Sequence, residues 1–324
     1  MMFAARIARR FAVLSLVLTL AGCSVVVAPN ESVSPTQIQR TQPFKVVGYV
    51  SPAANINEID FSLLTHINYA FLIPRSNGTV RPFSAPNHLR KVVTQAKRHG
   101  VKVLIALGGW GWDREFEALA ADPAIRANLA RRVAAFCDTY QLDGVDIDWE
   151  YPNAGVSATH FTALVLALRA ALPTGAIVTA AVLANAPDAE GISTEAVAHL
   201  DYINLMAYDG PREEHASFAM AERSIASWIS RGIEPEKLVI GVPFYARPGN
   251  ATYRTLLEND PATASGDRVL YQGVEQNYNG PATIQRKTEL AMRLVGGIMI
   301  WELSQDARGN DSLLRVIGAT VAAP

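Results

Sequence analysis

The 324-residue chain reads as an α/β protein built on a single (β/α)8 (TIM) barrel. Three observations carry this reading. From Lys45 onward, eight short runs rich in β-branched and aromatic residues alternate with helical stretches, the pattern of a parallel sheet covered by helices. Eight such units fit into residues 44–324, the usual size of a closed barrel. No glycine-rich dinucleotide fingerprint follows the first run, which disfavours the doubly wound open sheet.

Taken in order, Arg6, Arg9 and Arg10 precede an apolar run from Phe11 to Ala21, too short to span a bilayer and suited to an export signal. It ends in Leu20-Ala21-Gly22-Cys23, which resembles the bacterial lipoprotein box. The resemblance implies cleavage before Cys23 and lipidation of its thiol; the alternative is an ordinary signal with a chance cysteine. Ser24, rather than Asp, follows the cysteine, so a lipid-anchored protein of the bacterial cell envelope, at the outer membrane, is expected. Ser24–Gln42 is polar, carries Pro29 and Pro35, and lacks hydrophobic periodicity, as a flexible tether does. The expected organisation is a signal over 1–22, a tether over 23–43 and the barrel over 44–324.

The expected strands are Lys45–Val50, His66–Leu72, Val101–Gly109, Gly144–Glu150, Ile177–Leu183, Tyr202–Tyr208, Leu238–Tyr245 and Gly297–Leu303. Helices are expected at Leu89–His99, Ala124–Tyr140, Ala158–Leu172, Ala219–Arg231 and Thr283–Leu294, two of them stopped by Gly100 and Gly232. With 49% hydrophobic and 18% charged residues, the chain can bury a large core. A formal net charge of −1 and no long basic run argue against a nucleic-acid partner. Two cysteines and no Cys/His cluster suggest neither a disulfide framework nor a metal. No cofactor is implied, and a monomer is expected.

The most informative stretch is Leu142-Asp143-Gly144-Val145-Asp146-Ile147-Asp148-Trp149-Glu150-Tyr151. On a strand, the two-residue period sends Asp146, Asp148 and Glu150 to one face and Val145, Ile147 and Trp149 to the other. Three carboxyl groups so close cannot all ionise freely near neutral pH, so a proton is shared or a pKa is raised. A calcium loop would need a different oxygen pattern with a central glycine. In a barrel the active site lies at the C-terminal ends of the strands, which is where Glu150 falls.

Asp143-x-x-Asp146-x-Asp148-x-Glu150 resembles the signature of glycoside hydrolase family 18, the chitinases and their relatives. His66–Phe71, Ala106–Trp110, Met206-Ala207-Tyr208-Asp209, Gly241–Arg247 and Gly297–Trp301 resemble the family's second, third, sixth, seventh and eighth strands. The resemblance implies a retaining, substrate-assisted hydrolase of β-1,4-linked N-acetylglucosamine polymers. Glu150 would protonate the glycosidic oxygen. Asp148 would hold and polarise the substrate's acetamido group, Asp146 would share a proton with Asp148, and Tyr208 would donate to the acetamido carbonyl. Asp209 would bind nearby, and Trp301 would floor the sugar. Tyr49, Phe71, Gly109, Trp110, Met206, Tyr245 and Arg247 match subsite-lining positions, although aromatic residues at barrel strand ends also pack on each other. Asp143, on the opposite parity, is expected to be structural.

Departures from the family pattern sharpen the expectation. Ala106 stands where many relatives have Ser, leaving Asp146 to rely on Tyr49 or on water. Only about fifty residues separate Arg247 from Gly297, too few for the large α+β insertion of some relatives. A shallow cleft and endo-acting cleavage follow. The alternatives are an endo-β-N-acetylglucosaminidase acting on N-glycan cores and a non-catalytic, lectin-like relative; the intact acids count against the latter.

Overall fold

The computed structural model describes residue 38, residues 40–211 and residues 215–323. The chain falls into two units, Met1–Ser34 and Pro35–Pro324. The expected export signal and Cys23 lie outside the described residues, as does most of the expected tether.

Eight parallel strands close a barrel in the order β1, β10, β7, β6, β5, β4, β3, β2. They are β1 (Lys45–Val50), β2 (His66–Leu72), β3 (Lys102–Trp110), β4 (Gly144–Glu150), β5 (Ile177–Leu183), β6 (Tyr202–Met206), β7 (Leu238–Pro243) and β10 (Gly297–Trp301). Between the last two lies a separate antiparallel hairpin, β8 (Arg268–Tyr271) and β9 (Val274–Asn277). The helices are α1 (Pro86–Arg98), α2 (Asp113–Ala121), α3 (Pro123–Tyr140), α4 (Val156–Ala171), α5 (Thr194–Ala198), α6 (Phe218–Ser230), α7 (Tyr253–Asn259), α8 (Pro281–Leu294) and α9 (Leu313–Ala322).

The expected strands and helices are all present, with shifted ends where local chemistry intervenes. β6 stops at Met206 because the backbone turns sharply, Ala207 donating to the Leu205 carbonyl and Tyr208 to that of Met206 (both 2.8 Å). β7 ends at Pro243, which has no N–H to extend a ladder. The third connection carries two helices, divided at Asp122-Pro123. A residue before proline is barred from helical backbone, and Asp122 instead caps α3 by accepting from the amides of Ala124 and Ile125. Gly100 and Gly232 end α1 and α6 with φ of 71° and 89°. The segment between β7 and α8 holds α7 and the small hairpin rather than a large insertion.

Two apolar clusters follow from strand alternation. The larger one includes Val103, Ile105, Leu107, Val145, Ile147 and Trp149, and it packs the outward strand faces against the helices. The smaller one, Val47, Tyr49, Ala70, Ala106, Tyr202, Val239 and Met299, fills the barrel interior. Its upper edge, formed by Phe71, Met206, Tyr208 and Trp301, is the floor on which the acidic strand ends.

Candidate active site

Strand β4 carries its acids inward, as its parity requires. Its register pairs Asp146 with Ala106 of β3 and Thr179 of β5, Asp148 with Gly108, and Glu150 with Trp110. The column therefore climbs from the barrel interior to the C-terminal mouth: Asp146 is 0% exposed, Asp148 4% and Glu150 half-buried.

Asp146 is held by three donors. The Tyr49 hydroxyl reaches its Oδ2 at 2.5 Å, while the Thr179 hydroxyl (2.5 Å) and the Asn204 amide (3.1 Å) reach its Oδ1. The expected support from Tyr49 is present, and Thr179 and Asn204 supply what position 106 does not. Burial pushes the Asp146 carboxyl up and the three donors oppose it, leaving it raised.

Asp148 is the opposite case. Its Oδ1 is buried without a partner among the described residues, a costly state unless a ligand or a proton uses it. Burial, then Glu150 and Asp146, push this carboxyl well above the ordinary aspartate range. Glu150 is raised as well, by burial against a hydrogen bond with Tyr151, with the charge of Asp209 adding to the rise. The pair thus retains a proton at pH values where free carboxyl groups have lost theirs.

Around the column stand the aromatic groups. Trp301 lies edge-on to Tyr49 at 5.2 Å and stacked on Phe71 at 5.7 Å. Tyr208 stands edge-on to Tyr245 at 6.3 Å. Burial foremost, then Tyr245 and the acids, keeps the Tyr208 hydroxyl protonated far beyond neutral pH. Met206 joins the same floor. Gly109 contributes through its backbone: φ is 91°, and a Cβ there would come within 3.0 Å of the Phe71 ring. Trp110 is 77% exposed, standing at the rim with Tyr151 at 6.3 Å. Three non-proline cis peptide bonds, Ala70-Phe71, Glu150-Tyr151 and Trp301-Glu302, lie at this same end.

After β6, two strands round from the column, Asp209 accepts from the Tyr245 hydroxyl (2.6 Å) and the Arg247 Nε (2.7 Å). Burial raises its pKa, but these two donors outweigh that and leave it lowered. His215, buried at 2% exposure, takes the Asp209 amide on its Nδ1 (3.1 Å) and donates its Nε2 hydrogen to the Tyr245 carbonyl (3.2 Å). Burial holds this ring down to about 4, so it is neutral near pH 7 and can fill both roles.

All thirteen residues expected in the site, from Tyr49 to Trp301, converge on this one end of the barrel; Cys23 is outside the described residues. Thr179, Asn204 and His215 were missed. The first two carry a signal in hindsight, each being a lone polar residue at inward parity in an otherwise apolar strand. His215 carries none, since its place depends on how the loop after β6 folds.

Fold and site together define a (β/α)8 barrel with a glycosidase-like carboxylate column at its mouth. The chain belongs to the glycosyl hydrolases, family 18, whose family model matches residues 45–306. Among proteins it is similar to, Chitinase C of Streptomyces lividans is 30% identical over 285 residues, 69% of this chain but only 45% of that protein. The chain thus spans less than half the length of this relative. A chitinase structure from Bacteroides thetaiotaomicron matches with 27% identity and a TM-score of 0.78, covering 87% of this chain and 97% of that one. The GH18 chitinase ChiB of Flavobacterium johnsoniae matches with 29% identity and a TM-score of 0.76, over 87% and 94%.

Proposed function

We propose that the protein is an endo-acting hydrolase of β-1,4-linked N-acetylglucosamine polymers, chitin or chitooligosaccharides, working with retention through the substrate's own acetamido group. The observation that carries this is the unpartnered Oδ1 of Asp148, buried between Glu150 above and Asp146 below. An ordinary retaining glycosidase needs a second carboxylate about 5 Å from the acid as nucleophile. The inward carboxylates nearest Glu150 lie on its own strand, and Asp209 is committed to Tyr245 and Arg247. An acetamido group seated over Asp148 supplies both the missing hydrogen-bond partner and the nucleophile. Glu150, with its raised pKa, donates its proton to the leaving oxygen. Asp148 and the Tyr208 hydroxyl orient the acetamido group and steady the oxazolinium charge. Water, deprotonated by Glu150, then opens that ring with net retention. The Trp301 face beneath suits the apolar C–H surface of a pyranose.

The chitinase names of the relatives support the polymer as substrate, and the short β7–α8 connection supports an open groove. The test is incubation with defined chitooligosaccharides and, separately, a high-mannose glycopeptide, with mass spectrometry of the products. Internal cleavage of the oligosaccharides supports the reading. Cleavage of the glycopeptide alone replaces it with an endo-β-N-acetylglucosaminidase, and binding without cleavage of either replaces it with a lectin.

We also propose that Cys23 is lipidated and tethers a monomeric barrel to the outer membrane through residues 24–43. The sequence Leu20-Ala21-Gly22-Cys23-Ser24 supports this. Membrane fractionation and mass spectrometry of the mature N-terminus test it, and a soluble product with an unmodified Cys23 overturns it.

A further inference from the structure

We propose that Lys287 is a positioning residue of the active site, holding the loop after β6 so that Asp209 stays on Tyr245 and Arg247. Its kinetic readout rests on the glycosidase reading above; its structural readout does not.

Lys287 sits in the middle of α8 and is wholly buried. A helix position facing a core would ordinarily take Leu or Met, because burying an ammonium is expensive unless its hydrogens are used. Here two of its hydrogens are used, and not by the helix. The Nζ donates to the Ala216 carbonyl at 2.6 Å and to the Asn279 Oδ1 at 2.7 Å. Asn279, itself buried, sends its Nδ2 hydrogens to the same Ala216 carbonyl at 2.9 Å and to that of Tyr278 at 3.2 Å. Two side chains thus converge on one peptide of the loop after β6. The start of α8 is itself anchored: Asp267 accepts from the Gly280 amide (2.8 Å) and the Thr283 hydroxyl (2.6 Å).

The clamped peptide is one residue from the imidazole that reaches the site. His215 accepts from the Asp209 amide and donates to the Tyr245 carbonyl, and Asp209 in turn meets the Tyr245 hydroxyl and Arg247. Both ends of this stretch are held in left-handed backbone without glycine, with φ of 53° at Ala216 and 60° at Asp209. Such backbone persists only where its surroundings over-determine it. At Ala216 the Lys287–Asn279 pair does so; at Asp209 it is His215, Tyr245 and Arg247. The route from Lys287 to Asp209 is continuous in these contacts, and the charge of Asp209 bears on Glu150.

The experiment uses the full chain and its Lys287→Met, Asn279→Ala, Asp209→Asn and Lys287→Met/Asp209→Asn variants. Each is measured for kcat and KM on an acetylated chitooligosaccharide and for the 15N imidazole signals of His215. Misplacement by about 1 Å costs up to about a hundredfold in rate, so Lys287→Met should lower kcat about tenfold or more, with a smaller change in KM. The double variant should be no slower than Asp209→Asn alone, because both break the same route. The His215 signals should move away from a single Nε2-protonated tautomer. Losses that multiply in the double variant, or unchanged kcat and His215 signals with only a lower melting temperature, overturn the proposal. If Lys287→Met fails to fold, Asn279→Ala decides by the same His215 signals. If the unmodified protein cleaves no N-acetylglucosamine oligomer, the function reading fails, and the His215 signals alone judge the positioning claim.

Discussion

Asp143 and Asp146 are three residues apart on one chain segment, yet they do opposite work, one at the N-terminal end of the barrel and the other inside it at the foot of the acidic column. At the N-terminal end, Asp143 accepts from the Val103 amide (2.8 Å) and pairs with Lys102 (2.9 Å). Asp201 repeats the device two strands on, with the Val178 amide (2.7 Å) and Arg169 (2.6 Å). Each accepts the amide of a neighbouring strand start and pairs with a cation, Lys102 at the start of β3 for Asp143 and Arg169 on α4 for Asp201. Among the described residues, the column at the other end has no cation among its hydrogen-bond partners. Asp146 rests on neutral donors, and Asp148 keeps an oxygen with no partner among the described residues. What separates a stitch from a reactive acid is therefore its donors and not its residue type.

The largest effect that follows is at the top of the column. Glu150→Gln keeps the shape and loses the proton, so kcat should fall about a hundred- to ten-thousandfold while binding of an intact oligosaccharide persists by calorimetry. More than a tenth of the original activity on an unactivated oligosaccharide would remove Glu150 from the acid's role.

The pH dependence sharpens the same contrast. A general acid must be protonated, so activity should fall as pH rises through the elevated pKa of Glu150. Asp209 raises that pKa and the Tyr151 hydrogen bond lowers it. Asp209→Asn should therefore move the alkaline limb of the kcat/KM profile to lower pH, and Tyr151→Phe should move it to higher pH. Shifts of the same sign in both variants would mean that another group controls the limb.

At the other end the effect is on stability. Asp143→Ala strips the Val103 amide of its acceptor and should cost about 1–2 kcal/mol in urea unfolding, with kcat unchanged. A large loss of kcat with normal stability would break the division between the two ends. The smallest effect is expected at Ala106→Ser. Asp146 already has three donors, so a fourth should move the pH profile little, and a large displacement would show that the floor of the column is under-supported.

Much of this was legible in the residues themselves. Parity alone placed Asp146, Asp148 and Glu150 on one face of β4 and Asp143 off it, because a strand's period is rigid. The eight strands were readable because each is a short, mostly apolar run, buried on both sides, between turn signals. The connections were less so. Splitting α2 from α3 required weighing Asp122-Pro123 above helical periodicity, and the β8–β9 hairpin has little apolar alternation to announce it. Thr179 and Asn204 were missed because their role depends on strand register and barrel closure, and Lys287 because a lysine in a helix reads as surface until the helix is packed. These are consequences of tertiary arrangement, which local pattern does not carry.

The central claim, that the substrate's acetamido group completes the unpartnered Asp148, is tested most directly on paired oligosaccharides that differ only in whether the sugar at the cleaved bond is N-acetylated. Product anomers are followed by NMR before mutarotation. The account predicts cleavage of the acetylated oligomer alone, with the β-anomer appearing first. Cleavage of the deacetylated oligomer at a comparable rate, or early appearance of the α-anomer, would contradict it.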